Sequence, residues 1–118
     1  VSSSVVERMS IAAHEIVRAY CHSIGDFTLP PWNEASEDQK EVTRHGVLFH
    51  LANSEAGPEG SHIRWVESMV SRGWRWGPFK NVAKQEHPCI VPFNRLPRYE
   101  KTKDFLFCAV VYNIKDSF

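Results

Sequence analysis

The stretch Gly73-Trp74-Arg75-Trp76-Gly77-Pro78-Phe79-Lys80 limits what this chain can fold into more than any other. Two tryptophans bracketed by glycines and followed by proline cannot lie inside a helix, because glycine ends one in the left-handed region and proline brings no amide donor. A bend or short strand is predicted there. The continuation, His87-Pro88-Cys89-Ile90-Val91-Pro92-Phe93, is apolar and again broken by proline. Tryptophan carries the largest apolar area of any side chain, so the region is expected to be a docking surface for flanking helices. Short strands are expected at Trp74–Trp76 and Ile90–Val91 within an otherwise irregular 74–93 segment.

Helical signals flank this segment on both sides. Ser4-x-x-Glu7 reads as a capping box, and Val5, Met9, Ala12, Ala13, Ile16 and Tyr20 recur at helical spacing up to Gly25. Pro30-Pro31-Trp32 makes 25–35 a loop, anchored on the body by Trp32. Ser36-x-x-Gln39 is a second capping box, opening a helix whose Val42, Gly46, Leu48, Phe49, Leu51 and Ala52 face inward and whose Gly46 permits a close crossing. Gly57-Pro58 starts a third helix with Trp65, Val66, Met69 and Val70 buried. Pro97 starts the last, with Thr102, Phe105, Leu106, Ala109, Val110 and Asn113 inward and Phe107, Cys108 and Val111 also apolar. A helix apolar nearly all round is central or lies at a subunit contact, which leaves a homo-oligomer open. The expected fold is therefore mainly α: a compact four-helix single domain over 1–118, with helices near 4–24, 36–53, 58–72 and 97–115 and a short irregular or β segment. Trp65, Trp74 and Phe105 are expected to bury the most apolar area, and Trp32 less.

A chain of 118 residues builds one core without staples. Its three cysteines, Cys21, Cys89 and Cys108, are odd in number and lack CxxC spacing, and no signal-like segment precedes them, so a reducing cytosol is expected. The longest apolar run, Phe105 to Tyr112, falls far short of the roughly 20 residues that span a bilayer, and no membrane partner is expected. Net charge is zero but unevenly placed: residues 1–71 carry five Lys or Arg against ten Asp or Glu, and 72–103 carry eight against two. A basic segment beside tryptophans suits an anionic planar ligand, with cations on phosphate and rings on a base. A solvated charged surface is the plainer alternative.

Among single residues, His14, Glu15 and Arg18 share one side of the first helix, either lining a pocket or forming a surface ion pair beside a packed histidine. His62 stands one turn before Trp65 and Val66 near a helix start, where pocket lining and plain packing are both open. His45 and His50 are five apart, a poor spacing for chelation, so no metal is expected. Cys89, among prolines and aliphatic residues, reads as a buried structural thiol. There is no HExxH, no phosphate-binding glycine loop, no GxSxG and no basic helix face for reading DNA. No cofactor is implied. The ligand-binding residues the pattern selects are His14, Arg18, His62, Trp76, Lys80, His87 and Lys103.

The ordered set Ala13-His14-Glu15, Arg18-Ala19-Tyr20-Cys21, Gly25-Asp26, Trp32, Gly46-Val47, Phe49-His50-Leu51-Ala52-Asn53 and Ser61-His62-Ile63-Arg64-Trp65 continues into GWRWGPFKN, KQEHPCIVPFNRLP and Lys103-Asp104. This set resembles the ryanodine-receptor (RyR) domain across nearly the whole chain, most closely the free-standing phage and bacterial form. In calcium-release channels such repeats are peripheral regulatory modules linked to adenine nucleotides, whereas for the free-standing form the family name supplies no activity. The resemblance, with the clustered Trp, His and cationic residues, implies a noncatalytic domain that binds and sequesters a nucleotide-derived signal, as a phage anti-defence sponge in the bacterial host cytosol. Two alternatives stand beside it. One is a protein-interaction or regulatory module; the other is a nucleotide-cleaving enzyme using His14, His62 or His87.

Overall fold

Serine hydroxyls begin two of the helices. Ser2 Oγ accepts the amide of Val5 at 3.3 Å to cap α1 (Ser3–Ser23), and Ser36 Oγ accepts that of Gln39 at 3.1 Å to cap α2 (Glu37–Ala52). The Ser36 cap is the one expected. The Ser4-x-x-Glu7 box does not form, because the cap sits two residues earlier and Glu7 instead accepts from Arg44 Nε at 2.8 Å. The same guanidinium meets Glu37 and Glu41 at 3.0 and 2.6 Å, so one arginine ties α1 to α2. The chain then forms α3 (Gly57–Ser71), with Pro58 in its first turn, and α4 (Arg98–Ile114), which follows Pro97. Gly73, at φ +93°, reverses the chain after α3, and the amide of Trp74 returns to the Met69 carbonyl at 3.0 Å. This computed structural model describes residues 2–117.

α4 packs against α1, α2 and α3, and α1 also lies along α2. Where they converge, Val6, Met9, Val47 and Val111 form the innermost cluster, enclosed by Leu51, Phe107 and Tyr112. Each such side chain contributes roughly 1.5–3 kcal/mol by leaving water. Gly46 makes the crossing possible, since a Cβ there would stand 3.0 Å from the Phe107 ring. The mainly α, four-helix architecture is the one the sequence predicts.

The helical phase differs from expectation at several positions. Ile16, Leu48, Val70 and Phe105, expected inward, are exposed, Phe105 by 58%. Ala52, Ala109 and Asn113 are exposed as well. In α4 Val110 is buried as expected, but its companions on the buried face are Cys108 and Val111. A helix with apolar residues on every side carries no phase of its own, so its neighbours choose the face that goes in.

β1 (Arg75–Trp76) pairs in parallel with β2 (Glu86–His87), Arg75 opposite Glu86 and Trp76 opposite His87. An antiparallel bridge between Asn81 and Glu86 closes the intervening turn. The second strand is thus not at Ile90–Val91, as expected. Prolines at 88 and 92 remove ladder donors there, and the Val91 carbonyl accepts from His62 on α3 instead, at 2.7 Å. Gly77 admits the strand pair, because a Cβ at that position would lie 2.5 Å from the Glu86 Cβ.

Candidate functional site

His87 occupies the middle of the molecule's main concavity. Its Nδ1 accepts the amide of Cys89 at 3.1 Å, which places the proton of the neutral ring on Nε2. Burial, with Lys80 and Lys103 nearby, lowers its pKa, so the ring stays neutral and offers an Nε2 donor at pH 7. Trp65 meets it edge to face at 5.0 Å between centroids, and Trp74 stands 6.4 Å away. The two tryptophans come from α3 and from the turn after it; β2 supplies the histidine.

Two lobes open on either side of this ring. The first, about 500 Å³, has walls of His14, Trp65, Trp74 and Phe107 and carries Arg72, Lys80 and Asp38. The second, about 420 Å³, is lined by Cys21, Asp26, Thr28, Cys89, Tyr99, Glu100 and Lys103. Val17, Leu29, Lys80 and His87 line both lobes, so the two form one cleft with a waist. Arg72 donates to the Ser68 carbonyl and to Met69 Sδ. Neither Arg72 nor Lys80 has a carboxylate partner among the described residues.

The second lobe is electrostatically different. Asp26 accepts from the Thr28 amide at 3.0 Å and its hydroxyl at 2.6 Å, and these bonds hold its carboxyl below the usual range. Lys103 Nζ lies 3.2 Å from Glu100 Oε1. Burial opposes the charge on Lys103, but the neighbouring acids outweigh it and raise its pKa. Burial, and then Glu100, push the Cys89 thiol up to about 12, which makes it an inert thiol, as its proline-rich surroundings suggest.

The residues selected from sequence divide into three groups. Lys80, His87 and Lys103 line the cleft, as does His14. The Nε2 of His14, however, is committed to the Pro30 carbonyl at 2.7 Å, fixing the 25–35 loop beside Trp32, whose amide donates to Glu15 at 3.0 Å. His62 lies outside the cleft, stacked on Trp65 at 5.7 Å and holding Val91. Arg18 also lies outside and pairs with Glu15 at 2.8 Å in a part-buried ion pair, its Nε buried without a hydrogen-bond partner among the described residues. Burial alone would raise the Glu15 pKa, but the Trp32 amide and Arg18 hold it down. Trp76 stands on the outer side of β1, 55% exposed and away from the cleft.

Sequence reasoning missed Trp65, Trp74 and Arg72 as cleft residues, having assigned the rings to the core. It also missed the acids of the second lobe. Their signal was weak: Asp26 lies in a loop some 75 residues from Glu100. Away from the cleft, His50 is fully buried, its Nδ1 2.6 Å from the Tyr112 hydroxyl and its Nε2 3.6 Å from Cys108 Sγ. Burial, helped by Arg64, drives its pKa down to about 4. The Tyr112 oxygen also accepts the Gly57 amide at 3.2 Å, joining α4 to the start of α3. Asp104, one turn below Glu100 on α4, is pushed up to about 7 by burial and by Glu100, against Lys103. Among the described residues no cluster of His, Cys, Asp and Glu is arranged to hold a metal, and no helix is long and apolar enough to cross a membrane.

The fold and cleft define a small, mainly α domain with a two-lobed aromatic and charged pocket. A sequence model of the RyR domain matches residues 50–109, just over half of the chain, and the chain belongs to that family. The matched part contains α3, both strands and most of α4. His14 and Arg18 on α1 fall outside it.

Proposed function

We propose that this chain is a noncatalytic binder of a nucleotide-derived signal, the free-standing phage or bacterial form of its family, acting in the host cytosol as a sponge against bacterial defence. The observation that carries this reading is the first lobe: Trp65 and Trp74 beside neutral His87, with Arg72 and Lys80 unpaired by carboxylates at the same opening. Aromatic walls suit a planar base, and cations free of carboxylate partners suit phosphate. Binding rather than cleavage fits the histidines. His14 and His62 each place Nε2 against a backbone carbonyl at 2.7 Å, which suits orientation of loops more than proton transfer.

Calorimetric titration with adenine nucleotides and cyclic dinucleotides tests the reading against Arg72→Ala and Lys80→Ala, each checked by thermal melting. Loss of one charge-assisted phosphate contact should weaken binding about ten- to hundredfold with folding little changed. Affinity weaker than about 100 μM for every nucleotide, near −5.5 kcal/mol, would refute it, and ligand hydrolysis during incubation would move the function to an enzyme. A second reading, an interaction module, is favoured by one feature. Ile63, Val66, Ile90, Val91, Pro92 and Phe93 line an apolar groove of about 370 Å³ around His62.

A further inference from the structure

The two lobes differ in chemistry, and that difference narrows the class of ligand. We propose, on top of the nucleotide-binding reading, that the cleft takes a nucleotide joined through a pyrophosphate to a second, sugar-like polyol. The base lies in the first lobe, the phosphates cross the waist and the polyol occupies the second lobe.

Three observations support this order. The first lobe is the aromatic one, with Trp65, Trp74 and His14 on its walls. The waist is formed by Lys80 and His87, one a cation without a carboxylate partner among the described residues and the other a neutral ring with its proton on Nε2. Two donors shared by both lobes are placed for a bridging anion. The second lobe offers acceptors: Asp26, whose Oδ1 is already engaged by Thr28, and Glu100, whose Oε1 meets Lys103. The second oxygen of Asp26 has no hydrogen-bond partner among the described residues, while the Glu100 carboxylate also accepts from the Cys89 thiol. Acidic side chains are the usual partners of ribose hydroxyls, since a carboxylate accepts from vicinal O–H groups that no phosphate could replace.

The same acids argue against another phosphate in the second lobe. With Asp26 and Glu100 set against Lys103, that lobe has no surplus positive charge beyond the Lys80 it shares. A symmetric cyclic dinucleotide would require two equivalent base sites around a central pair of phosphates. The second lobe has Tyr99 in place of the two tryptophans, and Tyr99 is half exposed with Lys103 already 5.9 Å above its ring. The volumes, about 500 and 420 Å³, leave room for a second moiety that a simple nucleoside diphosphate would not fill.

Calorimetry on the full chain with ADP-ribose, ADP and cyclic di-AMP is the test. ADP-ribose should bind about tenfold or more tightly than ADP, the gain of a charge-assisted hydroxyl contact. Glu100→Gln should erase that advantage while leaving ADP affinity within about twofold, and Asp26→Asn, on a loop rather than a helix, should do the same. A melt of each variant separates lost contact from lost fold. Equal affinity for ADP and ADP-ribose, tightest binding of cyclic di-AMP, or equal weakening of ADP and ADP-ribose by both substitutions would each overturn this inference while leaving nucleotide binding intact. Binding of none of the three would remove both.

Discussion

Lowering the pH from 6.5 to 4.5 should leave the stability of the wild-type protein nearly level, because two buried groups titrate in opposite senses. His50 has its folded pKa pushed down to about 4 from 6.5. Its contribution is complete above pH 6.5 and is lost as pH falls toward 4, at up to about 1.4 kcal/mol per unit. Asp104 has its folded pKa pushed up to about 7 from 3.8. Its contribution is complete below 3.8 and is lost as pH rises toward 7, at a similar rate of about 1.4 kcal/mol per unit. Between 4.5 and 6.5 the two slopes oppose each other. The lowered His87 adds a smaller slope in the His50 sense. Asp104→Asn removes one side of the balance, so that variant should lose up to about 2.7 kcal/mol over the two units as pH falls. His50→Gln removes the other and should gain a similar amount, from a lower baseline set by the lost Tyr112 bond. Urea midpoints at pH 4.5, 5.5 and 6.5, converted with a common m-value, read the slopes directly. The reasoning fails if both variants run parallel to wild type across the window.

Three other outcomes follow from contacts already described. Tyr112→Phe leaves His50 Nδ1 and the Gly57 amide without their shared oxygen and should cost about 1–3 kcal/mol in urea unfolding; an unchanged midpoint would show that water replaces the hydroxyl. Trp32 is only 9% exposed, so Trp32→Ala should cost about 3–5 kcal/mol, more than Phe105→Ala at under about 1 kcal/mol, the reverse of the order the sequence suggests; equal midpoints would contradict it. Gly77→Ala forces a Cβ onto Glu86 and should weaken nucleotide binding at least as much as Lys80→Ala by displacing His87, with the helical circular-dichroism signal retained; wild-type affinity in that variant would show that the strand pair does not position the ring.

The four helices were legible because their starts and stops are local: Ser36 caps by reaching three residues on, Pro58 and Pro97 need no amide partner, and Gly25 and Gly73 adopt positive φ where each helix ends. Lys80, His87 and Lys103 were legible for a similar reason, since charge and rings are dense in one stretch of chain. What the sequence could not determine was phase and company. Phe105, Val70 and Ile16 satisfy helical spacing as well as their buried neighbours do, and only the crossing of α4 with the other helices selects Val111 and Cys108 for the interior. The first strand falls where the sequence places it, but the second was misplaced because parallel pairing joins Arg75 to Glu86 across a turn whose closure depends on Asn81 and on the missing side chain of Gly77. The cleft itself belongs wholly to tertiary structure. Asp26, Trp65, His87 and Glu100 are far apart along the chain and share no spacing rule; packing of the loop after α1, α3, β2 and α4 brings them to one cleft, and contacts between distant elements leave no periodic mark on the sequence.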